Sequence, residues 1–176
     1  MASGYKNPSL YSTAISALQK FVEIEQNDGS AFNLLGLLFE RQGRYMDAAK
    51  SFHAAFEILA SAEEPDTKKI MSVAANHGRA CLSSGSYNEA IQSYSLVLGS
   101  LELPGHVYHI LGCGLAYYFN GQLEESLNQF QRALEDCKDD EKTEIKSDVM
   151  LLLSQVLYGL GTEQHISLAK EQLFQW

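Results

Sequence analysis

Apolar residues recur three and four positions apart through most of the chain, the spacing of one helix face. Between Ser30 and Gln42, Phe32, Leu35 and Phe39 share such a face. From Tyr45 to Ala60, Ala48, Phe52 and Ala55 repeat the pattern with small residues around one large ring. Gly36 falls on the apolar face of the first segment. Glycine inside a helix costs ~1 kcal/mol relative to alanine, so its place there predicts close approach by a second helix. Gly43 follows the first segment and predicts a left-handed helix end, where the lack of a Cβ removes the penalty. No stretch shows the alternation of a strand.

The pattern repeats. Gly36 and Gly43, Gly78 and Gly85, and Gly114 and Gly121 bracket three such segments. At fixed offsets after each pair come Tyr45, Tyr87 or Leu123, then Ala48, Ala90 or Ser126. Phe52, Tyr94 or Phe130 follow, and then Ala55, Val97 or Ala133. Upstream, Ala14, Leu18 and Phe21 precede Ala48, Phe52 and Ala55 by 34 residues each, which fixes the period and makes Leu10–Asn27 the second helix of an earlier unit. Downstream, Met150, Leu153, Ser154, Leu157 and Gly161 occupy first-helix positions, and Ala169 and Leu173 resume a second helix. The resulting division is a partial unit over 10–28, complete units over 29–62, 71–104 and 107–140, and a partial unit over 147–176. Residues 1–9 are read as a flexible segment or non-native addition. Extra residues around Glu63, Glu64, Pro65 and Asp66 predict a break at Pro65 and a helix cap at Asp66.

This pattern resembles the tetratricopeptide repeat, a helix–turn–helix unit of 34 residues. The family's small eighth position is matched by Gly36, Gly78 and Gly114, and its small twentieth by Ala48, Ala90 and Ser126. Its aromatic twenty-fourth is matched by Phe52, Tyr94 and Phe130, and its twenty-seventh by Ala55, Val97 and Ala133. The usual closing proline is replaced by Gln26, Ala60, Glu102 and Lys138. The resemblance implies an all-α solenoid of stacked antiparallel helix pairs in a right-handed superhelix, with three complete repeats and partial repeats at both ends. An array that starts on a second helix and stops inside another reads as an excerpt of a longer protein.

The resemblance also implies that first helices line a concave groove that binds protein or peptide segments. Its lining would include Asn33, Leu37, Asn76 and Arg79 in the first half. Tyr108, Leu111, Gly112, Leu115, Tyr118, Leu151 and Tyr158 would follow in the second. The first half is polar and the second apolar and aromatic, so binding is expected on the second, against a partner segment or neighbouring repeats. Family members that clamp a terminal carboxylate use Lys and Arg where this chain has Asn33, Tyr108 and Gly112, and of their residues only Asn76 matches. A peptide-binding co-chaperone or adaptor is therefore the secondary reading. The stretch AFNLLGLLFERQGRYMDAAKSF and the acidic insertions are similar to long eukaryotic scaffold arrays, which implies a multi-subunit assembly with cytoplasmic RNA decay as its setting.

Composition narrows the classes. The 176 residues are 45% apolar and 20% charged with only 3 prolines, a globular balance. The formal net charge of −9 opposes phosphate backbones, so direct nucleic-acid binding is not expected. No apolar run reaches the ~18 residues of a membrane span, and the opening residues lack a signal-peptide core. Cys81, Cys113 and Cys137 are odd in number and irregular in spacing, which fits reduced thiols in the cytoplasm or, alternatively, the nucleus.

His106, His109 and Cys113 are spaced three and four, so a rival reading places a metal on one helix side. Against it, Cys113 sits at a core position, His106 is expected before the helix start, and no fourth ligand is evident. His77 is expected to be half-buried and hydrogen-bonded. No Lys, Arg or His is expected to activate any of the three thiols. No catalytic or cofactor motif is found. The expectation is a non-catalytic scaffold that binds proteins and takes no cofactor.

Overall fold

The computed structural model describes residues 8–100, 106–137 and 143–174. The expected features at Glu102, at Lys138–Glu141 and across residues 1–7 lie outside these. Among the described residues the chain is helical without strands. It divides into two compact units, one ending at Gly85 and one beginning at Ser86.

The first unit holds α1 (Pro8–Ile24), α2 (Gly29–Arg41), α3 (Tyr45–Ala60) and α4 (Thr67–Ser84). The second holds α5 (Tyr87–Leu98), α6 (His106–Phe119), α7 (Leu123–Asp136), α8 (Thr143–Leu160) and α9 (Glu163–Phe174). Within each unit, helices joined by short turns pack side by side and antiparallel. The turns are built as the glycines require: Gly43, Gly85, Gly121 and Gly161 all have φ between 71° and 85°. Asp66 caps α4, its Oδ1 accepting from the Lys69 amide at 3.0 Å. Asp28 caps α2 in the same way, accepting from the Ser30 and Ala31 amides.

Helix spacing is set by rings lying on bare backbone. Phe52 is fully buried, and a Cβ built on Gly36 would lie 2.6 Å from its ring. Phe130 bears the same relation to Gly114, at 2.6 Å. Beside that second contact, Ser126 replaces the usual alanine and donates its hydroxyl to the Gly114 carbonyl at 2.9 Å. Ser126 is therefore buried without an unmet polar group. Around these pairs, Ile15, Leu35, Phe39 and Val73 close the core of the first unit. Ile110, Leu127, Val149, Leu153 and Leu157 close that of the second.

Two expectations are corrected. Phe21 was expected inward on α1 but is exposed, and Ile15 and Val22 are buried instead. The twenty-seventh position is buried by the first helix of its own unit, and no such helix is among the described residues for α1. Gly112 was expected to line the groove but is buried, since a Cβ there would meet the Tyr94 ring at 2.5 Å. Tyr94 thus rests on the backbone of the next first helix.

All three thiols are buried, and none of them is in a disulfide. Burial pushes Cys113 up from 9.0 to about 11, against the opposing pull of a Ser95 hydrogen bond and the Arg132 charge. Burial, followed by the Cys113 charge, also raises Tyr117.

Two outcomes are expected. Gly36→Ala should cost ~1–3 kcal/mol by overpacking against Phe52, and adding Phe52→Leu should recover part of that loss in thermal melts. Cys113 favours its neutral form in the fold, so its contribution is intact below pH 9 and is lost as pH rises towards 11. Unfolding free energies from urea melts across that window should fall more steeply for the wild type than for Cys113→Ala, by up to ~1.4 kcal/mol per pH unit.

Candidate functional site

The first helices of the two units present different surfaces. In the first unit the polar residues of α2 and α4 satisfy one another. Asn76 Nδ2 donates to Asn33 Oδ1 at 3.2 Å. Arg79 holds Glu40 through two bonds of 2.6 and 2.7 Å. Lys69 Nζ donates to Ser30 Oγ at 3.3 Å. Leu37 is half-buried against the core. The guanidinium of Arg79 is therefore committed to a carboxylate within the unit. A fork-to-fork pair of this kind holds both groups in fixed geometry. Opposite charges at neighbouring lining positions, Glu40 and Arg79, were the available sequence signal for this pairing, and reading each residue separately missed it.

In the second unit α6 and α8 carry an apolar stripe. Tyr108 is 61% exposed, Leu151 52% and Tyr158 71%. Leu111, Leu115 and Tyr118 are half-buried, packed on the core that contains Ile110, Phe130 and Leu153. The spacing of three, four and three along α6 puts Tyr108, Leu111, Leu115 and Tyr118 on one line. Their inner edges belong to the core, and the outer edges continue the exposed surface of Tyr108. Tyr158 stands two turns beyond Leu151 on α8.

The residues of the rival metal reading have separate partners. His106 is the first residue of α6 rather than preceding it. Its Nε2 lies 3.1 Å from Arg132 and 3.9 Å from Asp136 of α7. His109 packs against the Tyr94 ring of α5 at 6.4 Å. Cys113 is hydrogen-bonded to Ser95 in the core. Among the described residues no three His, Cys, Asp or Glu side chains are grouped to hold a metal ion.

One thiol expectation is corrected. His77 is half-buried as expected, but its Nε2 lies 3.3 Å from the Cys81 sulfur. Four residues apart on a helix is contact distance, so the spacing did carry the pair. The His53 ring lies tilted beside His77, with 5.5 Å between centroids. Among the described residues no helix is long and apolar enough to cross a membrane.

Comparison with known proteins bears on these surfaces. A family model described as Tetratricopeptide repeat matches residues 28–102. Superkiller complex protein 3 of Mus musculus is 34% identical over 89% of this chain, which spans 10% of that protein. Superkiller protein 3 of Schizosaccharomyces pombe is 27% identical over 93% of this chain, which spans 12% of it. The chain thus spans about a tenth of the length of these curated relatives.

Among solved structures, a putative kinesin light chain of Podosopora anserina with nearly identical TPR-like repeats aligns with a TM-score of 0.74. It is 16% identical, and the alignment covers 97% of this chain and 89% of that one. MamA from Desulfovibrio magneticus RS-1 aligns at 0.73 and 18% identity, covering 94% and 82%. These two likenesses concern the fold alone. The family match falls on the helices that carry the Gly36–Phe52 contact, and the second unit repeats that contact at Gly114 and Phe130; the chain belongs to the tetratricopeptide repeat family.

Proposed function

We propose that the chain is a non-catalytic protein-interaction scaffold that contacts its partner through the apolar stripe of α6 and α8. The observation that carries this reading is the contrast between the two linings. The polar lining of α2 and α4 is consumed by bonds within its own unit. The large side chains of Tyr108, Leu151 and Tyr158 stand in water. At ~25 cal/mol per Å² of apolar surface, covering them is favourable without charge pairing. Tyrosines beside aliphatic residues are also the composition of interface centres.

The ligand form that fits is an apolar helix or extended segment of a partner, or a neighbouring repeat of a longer parent chain. Asn33, Asn76 and Arg79 have a subordinate part, since their polar groups are already partnered, and so has Leu37, which is half-buried against the core. The same commitment of Arg79 weakens the co-chaperone alternative, which needs free cations for a carboxylate.

The relatives named for a superkiller complex support membership of a multi-subunit assembly. Their resemblance favours a cytoplasmic setting in RNA decay, reached through bound proteins, since the charge of −9 opposes direct RNA contact.

The test is affinity capture of cell proteins on the immobilised chain, repeated with Tyr108→Ala and Tyr118→Ala. Each substitution should weaken retention of the specific partner about tenfold, within the range of interface anchors. Raising salt from about 0.1 to 0.5 M should change retention less than about twofold, because screening acts on charges. Equal retention by both variants would remove the stripe as the binding site. Steep salt sensitivity would instead favour recruitment by the acidic segments near Glu63 and Asp139.

A further inference from the structure

At the other end of α6 from His106, the turn into α7 carries an aromatic cluster that extends past the stripe from Tyr118 to Phe119 and Tyr87. Phe119, the last residue of α6, is 54% exposed. Its ring stacks on Tyr87, the first residue of α5, at 5.6 Å and 22°. Tyr118 meets it edge-on at 5.4 Å and 73°. A chain of side-chain hydrogen bonds runs past these rings. Asn120 Nδ2 donates to Asn88 Oδ1 at 3.0 Å and to Gln122 Oε1 at 2.7 Å. Gln122 Nε2 donates to Glu125 Oε1 at 3.4 Å. These bonds tie the end of α6 to the starts of α5 and α7.

The last of these bonds ends on a carboxylate, Glu125, and two more carboxylates lie in the same helix turns. Glu89 lies in the first turn of α5, and Glu124 and Glu125 lie in the first turn of α7. All three are exposed. Among the described residues none of the three is in an ion pair, and Lys138 and Lys142 lie outside the described residues. Between Arg79 and Arg132 the chain has no Lys or Arg. Arg132 sits at the far end of α7, against His106. Lys146 is in the first turn of α8, again at the far end, and Lys170 lies about two turns along α9.

Helix ends do not account for the charge either. The starts of α5 and α7 supply about +0.5 each and the end of α6 about −0.5. Three carboxylates therefore leave an excess of about two and a half negative charges in the helix turns around the exposed Phe119 ring.

We propose that this turn end of the second unit docks a positively charged segment of a partner protein, seating an arginine on the exposed Phe119 ring within the field of Glu89, Glu124 and Glu125. The ring quadrupole and the carboxylates attract the same cation. A guanidinium suits the site better than an ammonium because its plane stacks on a ring while its edge meets a carboxylate. A purely apolar segment would desolvate the carboxylates without compensation. A phosphate backbone would be repelled by them. The surface adjoins the stripe at Tyr118, and it is tested through Phe119 and Glu125, which the stripe does not include.

The experiment is a nuclear magnetic resonance titration of the isotope-labelled full chain with a capped heptapeptide carrying three arginines. A matched peptide carries the uncharged analogue citrulline, and an eight-nucleotide single-stranded uridine RNA serves as the third probe. The arginine peptide should shift the amides of Tyr87, Asn88, Phe119, Asn120 and Gln122, leaving those of Leu111 and Leu151 in place. The citrulline peptide should bind at least about tenfold more weakly. Raising salt from about 50 to 500 mM should weaken the arginine peptide about tenfold. Phe119→Ala should weaken it at least about fivefold, and Glu125→Gln, an exposed change that leaves the packing intact, about threefold.

Four results would overturn the proposal. One is no shift at millimolar peptide. A second is equal binding of the citrulline peptide. A third is wild-type affinity in both Phe119→Ala and Glu125→Gln. The fourth is displacement of the arginine peptide by the RNA.

Discussion

A ring lying on backbone that has no Cβ is the contact on which both units depend. Phe52 fills the space over Gly36, and Phe130 the space over Gly114, each at a distance that any side chain would close. Ala48 and Ala55 on the helix of Phe52, and Ala133 on that of Phe130, are fully buried beside these rings. Packing of this density fixes helix separation within narrow limits, because added methyl groups have nowhere to go. The inward face of each first helix is thereby used up. What remains for recognition is the face that the rings do not touch.

That remaining face is spent differently in the two units. In α2 and α4 it is closed by cross-helix bonds between Asn33 and Asn76 and between Glu40 and Arg79. Such bonds stiffen the pair and leave little polar capacity for a ligand. In α6 and α8 it is aromatic and aliphatic, with Tyr108 and Tyr158 exposed. At the turn end of α6 the chemistry changes again, to rings among carboxylates. One scaffold geometry thus offers surfaces of distinct chemistry, selected by residues that the fold itself does not constrain.

Much of this was legible in the sequence. The second helix over Tyr45–Ala60, the left-handed turn at Gly43 and the cap at Asp66 all follow from local rules, since each depends on residues a few positions apart. Close approach at Gly36 was also legible, because a glycine on an apolar helix face has few other causes. What escaped depends on partners distant along the chain. The exposure of Phe21 goes with the lack, among the described residues, of a first helix for its unit. The burial of Gly112 under Tyr94 crosses from one repeat to the next, and position within a repeat says nothing of it. The pairing of Glu40 with Arg79 joins residues in different repeats, and the contact of His77 with Cys81 was present in the spacing but outweighed by the core reading of both. The binding role of the stripe and the arginine seat are not legible from periodicity, because the repeat pattern leaves those positions free.

The most direct test of the ring-on-backbone account is residue-resolved hydrogen exchange of the Gly114→Ala variant. A methyl group at that position meets the buried Phe130 ring, so the account predicts that amides of α6 and α7 lose protection by at least about tenfold, the equivalent of ~1.4 kcal/mol. Protection in α6 and α7 equal to that of the wild type would contradict it.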